Sequence, residues 1–133
     1  MNMTTVLDET KLEQIDREAS ITPLTDIVVF LRDHVGQKFT AYMSGLNDPK
    51  EVGAWTTGKV KPQTPKDMRL RYAYRVVRML VESYGDDTAK AWLFGTNTRL
   101  NDEAPAYLLR HAQVPDDFRD IVPVARAFAG ASE

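Results

Sequence analysis

Residues 64–85, TPKDMRLRYAYRVVRMLVESYG, decide the fold of this chain. Thr64 and Pro65 suit the start of a helix, because threonine caps free amides and proline is tolerated in a first helical turn. Apolar side chains then recur every three or four positions, as a buried helical stripe requires, at Leu70, Ala73, Val76 or Val77, Leu80 and Tyr84. Gly85 is a typical helix end. The pattern predicts the longest helix of the chain, over about residues 65–84.

Shorter helical patterns lie on both sides of this stretch. On its N-terminal side they cover residues 22–35, 38–43 and 48–57, each followed closely by a glycine. On its C-terminal side they cover residues 87–94, 103–111 and 115–129, and Pro123 is expected to kink or break the last of these. No segment alternates polar and apolar residues for long enough to predict a strand. The predicted fold class is therefore all-α.

The composition is that of an ordinary globular chain without cysteine. Of 133 residues, 43% are hydrophobic and 27% are charged, which is typical of folded proteins. The absence of cysteine excludes disulfides and thiolate metal sites. The first twenty residues lack the basic and apolar regions of a secretory signal, and no apolar run is long enough to cross a bilayer. We therefore expect a cytoplasmic protein without a membrane association.

Charge is distributed unevenly along the chain. Residues 32–78 contain ten basic and four acidic side chains, whereas residues 1–31 contain two basic and six acidic ones. Residues 79–133 are acidic again, with five basic and nine acidic side chains. Only the middle is expected to follow phosphates, although solvated helix surfaces explain the same charges. Because apolar residues are sparse in residues 1–21, that segment is predicted to be a mobile acidic tail, with one marginal helix as the alternative.

Residues 37–62 have the layout of a helix-turn-helix. A short helix, a turn at Gly45 and a second helix that begins at Asp48-Pro49 can place the second helix in the major groove of DNA. Val52 and Trp55 share a face and are expected in the core. The remaining positions supply the candidate DNA contacts: Lys50, Ala54, Thr57, Lys59 and Lys61. The lysines suit phosphates, but the helix has no Gln, Asn or Arg for bidentate base reading.

The sequence lacks a catalytic constellation. His34 and His111 lie in different predicted helices and have no partners at metal-ligand spacing. The four serines lie outside any nucleophile motif, and no glycine-rich phosphate loop is present. We therefore predict that the protein is not an enzyme and has neither a cofactor nor a metal site.

From about residue 25 to residue 130 the order of residues resembles the Xre/MbcA/ParS antitoxin family. Residues 52–63, VGAWTTGKVKPQ, look like the end of an Xre-type helix-turn-helix. The most specific part of the resemblance is the later string Trp92, Asn97, Leu100, Pro105 and Leu108. The resemblance implies a helix-turn-helix region over residues 22–84 and a small helical toxin-binding domain over residues 85–133.

The resemblance also implies partners, namely operator DNA, a second copy of the chain and a RES-domain toxin that degrades NAD. The last helix is expected to block the toxin through Arg119, Val122, Arg126 and Phe128. Arg126 would meet acidic groups of the toxin site, and Phe128 would be an apolar anchor. The homodimer is expected to form through residues 70–84 and the helix that contains Trp92, because one chain offers too little core to bury both faces of the long helix.

Two other functions fit the same residues. The chain could be a stand-alone helix-turn-helix regulator without a toxin partner, which uses its C-terminal half only to dimerise. It could also be a pure interaction module, because Ala54 and Thr57 offer little for reading bases. Binding to the chain's own promoter would distinguish these two, and a neighbouring gene for a RES-domain protein would favour the antitoxin.

Overall fold

The computed structural model describes residues 5–130, and its regular structure is helical, which confirms the all-α class. Within these residues the α-helices are α1 (Glu9–Ile21), α2 (Leu24–Val35), α3 (Gln37–Ser44), α4 (Lys50–Thr56), α5 (Lys66–Tyr84), α6 (Asp86–Phe94), α7 (Pro105–His111) and α8 (Ile121–Ala129). Short 3₁₀ helices at Thr98–Leu100 and Pro115–Phe118 precede α7 and α8. None of the helices described for residues 5–130 has the length and apolar character needed to cross a membrane.

Helix α5 is the centre of the molecule, and α1, α2, α3, α6, α7 and α8 all pack against it. The predicted stripe is confirmed, since Leu70, Ala73 and Leu80 are fully buried. Met79 and Ser83 are buried as well, whereas Arg71, Arg75 and Glu82 on the remaining face of α5 are half-buried. One chain therefore covers much of α5 without a second copy, and the homodimer through residues 70–84 and the Trp92 helix stays a prediction.

Helix α1 corrects the prediction that residues 1–21 form a mobile tail; residues 1–4 lie outside the described part of the chain. The backbone amide of Lys11 donates to the side chain of Asp8 (2.9 Å), which caps the helix. Leu12, Ile15 and Ala19 recur on one face and are buried against the core. Three apolar positions among many charges suffice here because α5 provides a surface for them.

Helices α2, α3 and α4 form a compact group beside α5. Gly36 and Gly45 end α2 and α3 with positive φ angles of 96° and 102°. Helix α4 begins where the amide of Lys50 donates to Asp48 (3.0 Å), and it ends at Thr56, two residues before the predicted stop at Gly58. Trp55 is 2% exposed, which confirms its predicted place in the core.

The last predicted helix is divided into two. Residues 115–118 form a 3₁₀ helix, and α8 begins at Ile121. The division therefore precedes Pro123, which lies in the first turn of α8, where an amide has no intrahelical acceptor and its absence costs nothing. Buried residues before and after position 85 belong to one hydrophobic cluster, so the predicted domain boundary there coincides with no division of the core.

Candidate interaction surfaces

The five predicted DNA-contact residues lie in α4 and in the segment that follows it. Lys50, Thr57, Lys59 and Lys61 are exposed, whereas Ala54 is half-buried. None of these three lysines forms an ion pair with another residue of the described part of the chain. Lys38 in α3 is also exposed. These exposed lysines can pair with phosphates, but the structure adds no side chain that can read bases.

Most of the other basic side chains of residues 32–78 bond to other residues of the chain. Arg71 donates to the carbonyl oxygens of Ala19 (3.1 Å) and Thr22 (2.8 Å), and Arg75 pairs with Asp16 (2.7 Å). The acidic N-terminal segment therefore neutralises basic side chains of α5. Arg71 and Arg75 are therefore occupied within the chain. Phosphate binding by residues 32–78 stays a prediction for the lysines.

Arg78 is the most enclosed of these cations. Its guanidinium donates to Glu18 (2.6 Å), Glu82 (2.7 Å) and the hydroxyl of Tyr74 (2.9 Å). Burial by itself lowers the pKa of Arg78, but these hydrogen bonds outweigh it and the pKa is raised. The hydrogen bonds from Arg78 and then Gln14 lower the pKa of Glu18, so the α1–α5 contact holds its charges at neutral pH.

Two arginines connect the α3–α4 turn to the C-terminal half. Arg69, which is 7% exposed, donates to the carbonyl oxygens of Ser44 (3.1 Å) and Ala112 (2.8 Å). Arg110 in α7 donates to those of Tyr42 (2.8 Å) and Leu46 (3.0 Å). Burial lowers the pKa of Arg69, and the nearby charge of Arg110 lowers it further. The bonds to Ser44 and Tyr42 reach carbonyl groups in the last turn of α3, and the bond to Leu46 reaches one in the turn that follows.

The four predicted toxin contacts do not form one surface. Val122 is 7% exposed and so offers a partner little contact area; its role in toxin binding stays a prediction. Arg126 pairs with Asp16 (3.0 Å) and with Glu9 of α1, so its guanidinium is not presented to a partner in this structure. Arg119 is exposed and pairs with Asp116 (2.8 Å), and Phe128 remains 37% exposed.

Phe128 forms one wall of a groove of about 610 Å³ between α5, α6, α8 and the loop after α6. The Phe128 ring lies 4.6 Å from that of Tyr84 and 5.9 Å from that of Trp92. The Tyr84 hydroxyl donates to the backbone carbonyl oxygen of Phe128 (2.8 Å), which orients the Tyr84 ring against α8. Sequence reasoning found Phe128 but missed the groove, because its walls come from distant segments.

Residues 96–99, at the start of the loop that follows α6, form the polar side of the groove. The side chain of Asn97 accepts from the amide of Arg99 (2.9 Å), and the amide of Asn97 donates to the carbonyl oxygen of Glu103 (3.2 Å). Asn101 and Asp102 have positive φ angles of 58° and 65°. Asn and Asp tolerate this conformation better than other side chains, so the loop is closed on itself and presents Arg99 at its surface.

The chain resembles known antitoxins in sequence and in fold. No family model matches the sequence. Mycobacterial cidal antitoxin MbcA from Mycobacterium bovis and from two strains of Mycobacterium tuberculosis is 35% identical over 65 residues, or 49% of this chain. The match spans 58% of the length of these relatives. A chain of the crystal structure of the M. tuberculosis MbcT–MbcA toxin–antitoxin complex has the same fold, with a TM-score of 0.62, 22% identity, and coverage of 82% of this chain and 96% of that chain.

Proposed function

We propose that this chain is an antitoxin that binds and neutralises a protein toxin through its C-terminal half. The observation that carries the proposal is the 35% identity to MbcA over 65 residues. The likeness of fold to a chain of a toxin–antitoxin complex supports it. The proposed partner is a RES-domain toxin that degrades NAD, which is what the family resemblance over about residues 25–130 implies.

The proposed mechanism is steric and requires no chemistry from the antitoxin. Among residues 5–130 no group of three or more His, Asp or Glu side chains is placed to hold a metal ion. An antitoxin of this type works by covering the entrance of the toxin site, so affinity and shape determine its effect. The exposed aromatic wall of the groove provides the apolar contact area that such an interface needs.

Co-expression with the toxin encoded beside this chain tests the proposal. We expect a complex that survives purification, and we expect NAD consumption by the toxin to stop when the chain is added. A folded chain that neither copurifies with that toxin nor slows NAD consumption would contradict the proposal. Deleting residues 119–133 is not a suitable test, because Ile121 and Ala125 of α8 are buried in the core.

A second candidate function, repression of the chain's own operon, is favoured by the exposed lysines of residues 50–61. Replacing Lys59 and Lys61 with glutamine should lower the slope of log affinity against log salt concentration by about two, because each phosphate contact contributes roughly one unit. Toxin binding should not change. The matched control is the double variant Lys11→Gln and Lys90→Gln, whose lysines pair with Glu82 and Asp87 elsewhere on the molecule.

A salt titration on the promoter fragment measures both double variants. Equal slopes for the two would show that Lys59 and Lys61 do not contact phosphates. If the intact chain fails to bind its promoter even at low salt, the pure interaction module becomes the better interpretation of α3 and α4.

A further inference from the structure

Arg99 differs from almost every other arginine of the chain in having a free guanidinium. Within residues 5–130 the guanidinium groups of the other arginines, apart from Arg17, bond to carboxylate or carbonyl oxygens, as Arg75 and Arg110 do. Arg99 and Arg17 have no such partner there. Arg99 is therefore a cation whose hydrogen-bonding groups are available to a binding partner.

The groove beside Arg99 contains no compensating negative charge. Its lining consists of aromatic, aliphatic, hydroxyl and amide groups together with this one cation: Tyr84, Trp92, Asn97, Arg99, Val124 and Phe128 are its main members. A free arginine next to a large apolar surface is the pattern of an interface that recognises a carboxylate and an apolar side chain together.

A second cleft, beside Phe39 and Phe94, differs from this groove in its cations. These rings stack at 4.0 Å and border a second cavity of about 430 Å³. Its arginine, Arg110, is occupied by the carbonyl oxygens of Tyr42 and Leu46. The cleft is also lined by the exposed Lys38, whose ammonium is a point charge, but it lacks a free arginine for two-point pairing with a carboxylate. The groove at Arg99 is therefore the better docking surface for such a group.

We propose that this groove docks a segment of the partner toxin in which an Asp or Glu lies next to a large apolar side chain. The carboxylate pairs with Arg99, and the apolar side chain packs against Phe128 and Trp92. The proposal rests on the proposed antitoxin function. It transfers to Arg99 the role in toxin recognition that the sequence suggested for Arg126.

The test measures affinity for the toxin encoded beside this chain, with full-length chain and four single variants. Arg99→Glu and Phe128→Ala should each weaken binding by about tenfold or more, as loss of a central charge pair or an aromatic anchor does. Arg17→Glu and Phe39→Ala are matched controls, since Arg17 is also free and Phe39 is also 37% exposed; both should stay within about twofold of the wild type. Circular dichroism of each variant establishes that it is folded.

The outcomes separate the two proposals. If the wild type forms the complex and Arg99→Glu binds within twofold of it, the groove assignment is overturned and the antitoxin function stands. If the wild type does not bind the toxin at all, both are overturned. Arg99→Lys distinguishes charge from geometry: it should retain part of the affinity, and an affinity as low as that of Arg99→Glu would overturn the carboxylate pairing.

Discussion

At the scale of single residues, the end of α3 depends on one glycine and one buried arginine. Gly45 has a φ of 102°, and a Cβ placed on it would collide with Nη1 of Arg69. Replacing Gly45 with alanine should lower the free energy of unfolding by about 1–3 kcal/mol, because backbone strain adds to displacement of the Arg69 hydrogen bonds.

Gly58 provides the control for this prediction. Its φ of 79° is also positive, but a Cβ there would meet only Oγ1 of Thr25, at an ordinary contact distance of 3.8 Å. Gly58→Ala therefore measures backbone strain without a collision and should be the milder change in urea denaturation. Equal losses for the two variants would mean that contact with Arg69 contributes nothing.

The ion pair of Glu18 makes stability depend on pH in a defined direction. Hydrogen bonds from Arg78 and Gln14 lower the pKa of Glu18 in the folded state. Its stabilising contribution is therefore present above the pKa of the unfolded chain, about 4, and is lost as pH falls through the folded value. Glu18→Gln should be less stable than the wild type at pH 7, and the difference should shrink at pH 3. A difference independent of pH would contradict this assignment.

At the scale of elements, α1 is part of the core. Ile15 is fully buried and Ile21 is 71% exposed, so one helix supplies both a test position and its control. Ile15→Ala should lower the free energy of unfolding by about 2–4 kcal/mol, as truncation of a buried aliphatic side chain does. Ile21→Ala should change it by less than about 0.5 kcal/mol. Similar losses in the free energy of unfolding for the two variants, measured by urea denaturation, would show that residues 9–21 do not pack into the core.

Helix periodicity predicted α5 and the core position of Trp55, because both depend on residues close in the chain. It did not establish α1, because the acidic side chains of α1 pair with Arg75 and Arg78 of a helix that is distant in the chain. The apolar stripe of α8 was also visible in the sequence. Which of its members stay exposed depends on how α5 covers it, so Val122 and Phe128 could not be distinguished. The groove could not be predicted from the sequence, because its walls come from segments that are distant in the chain.

At the scale of the whole molecule, the helices on both sides of residue 85 should unfold together. They share one hydrophobic cluster, and Arg69 and Arg110 bond across them. The chain contains two tryptophans, Trp55 in α4 and Trp92 in α6, so each half has its own fluorescent reporter. Trp55→Phe and Trp92→Phe variants allow the two to be observed separately.

Within each of these variants, we expect tryptophan fluorescence and circular dichroism to give the same urea midpoint, as in a single cooperative unit. Circular dichroism detects loss of all helices and is the internal control for any shift that the substitution itself causes. Separate fluorescence and helicity transitions would instead support independent domains at residues 22–84 and 85–133.

The contacts of Arg110 limit how genes of this kind can recombine. A crossover near codon 85 would join the α3–α4 turn to a foreign α7, and the carbonyl group of Leu46 would lose the donor that Arg110 supplies unless an arginine occurred at the same place. The carbonyl group of Tyr42 would keep the amide of Gly45 as a donor. Leu46 is buried, and an unsatisfied carbonyl in such a place costs about 1–3 kcal/mol. Functional hybrids should therefore inherit the α3–α4 turn and α7 from the same parent.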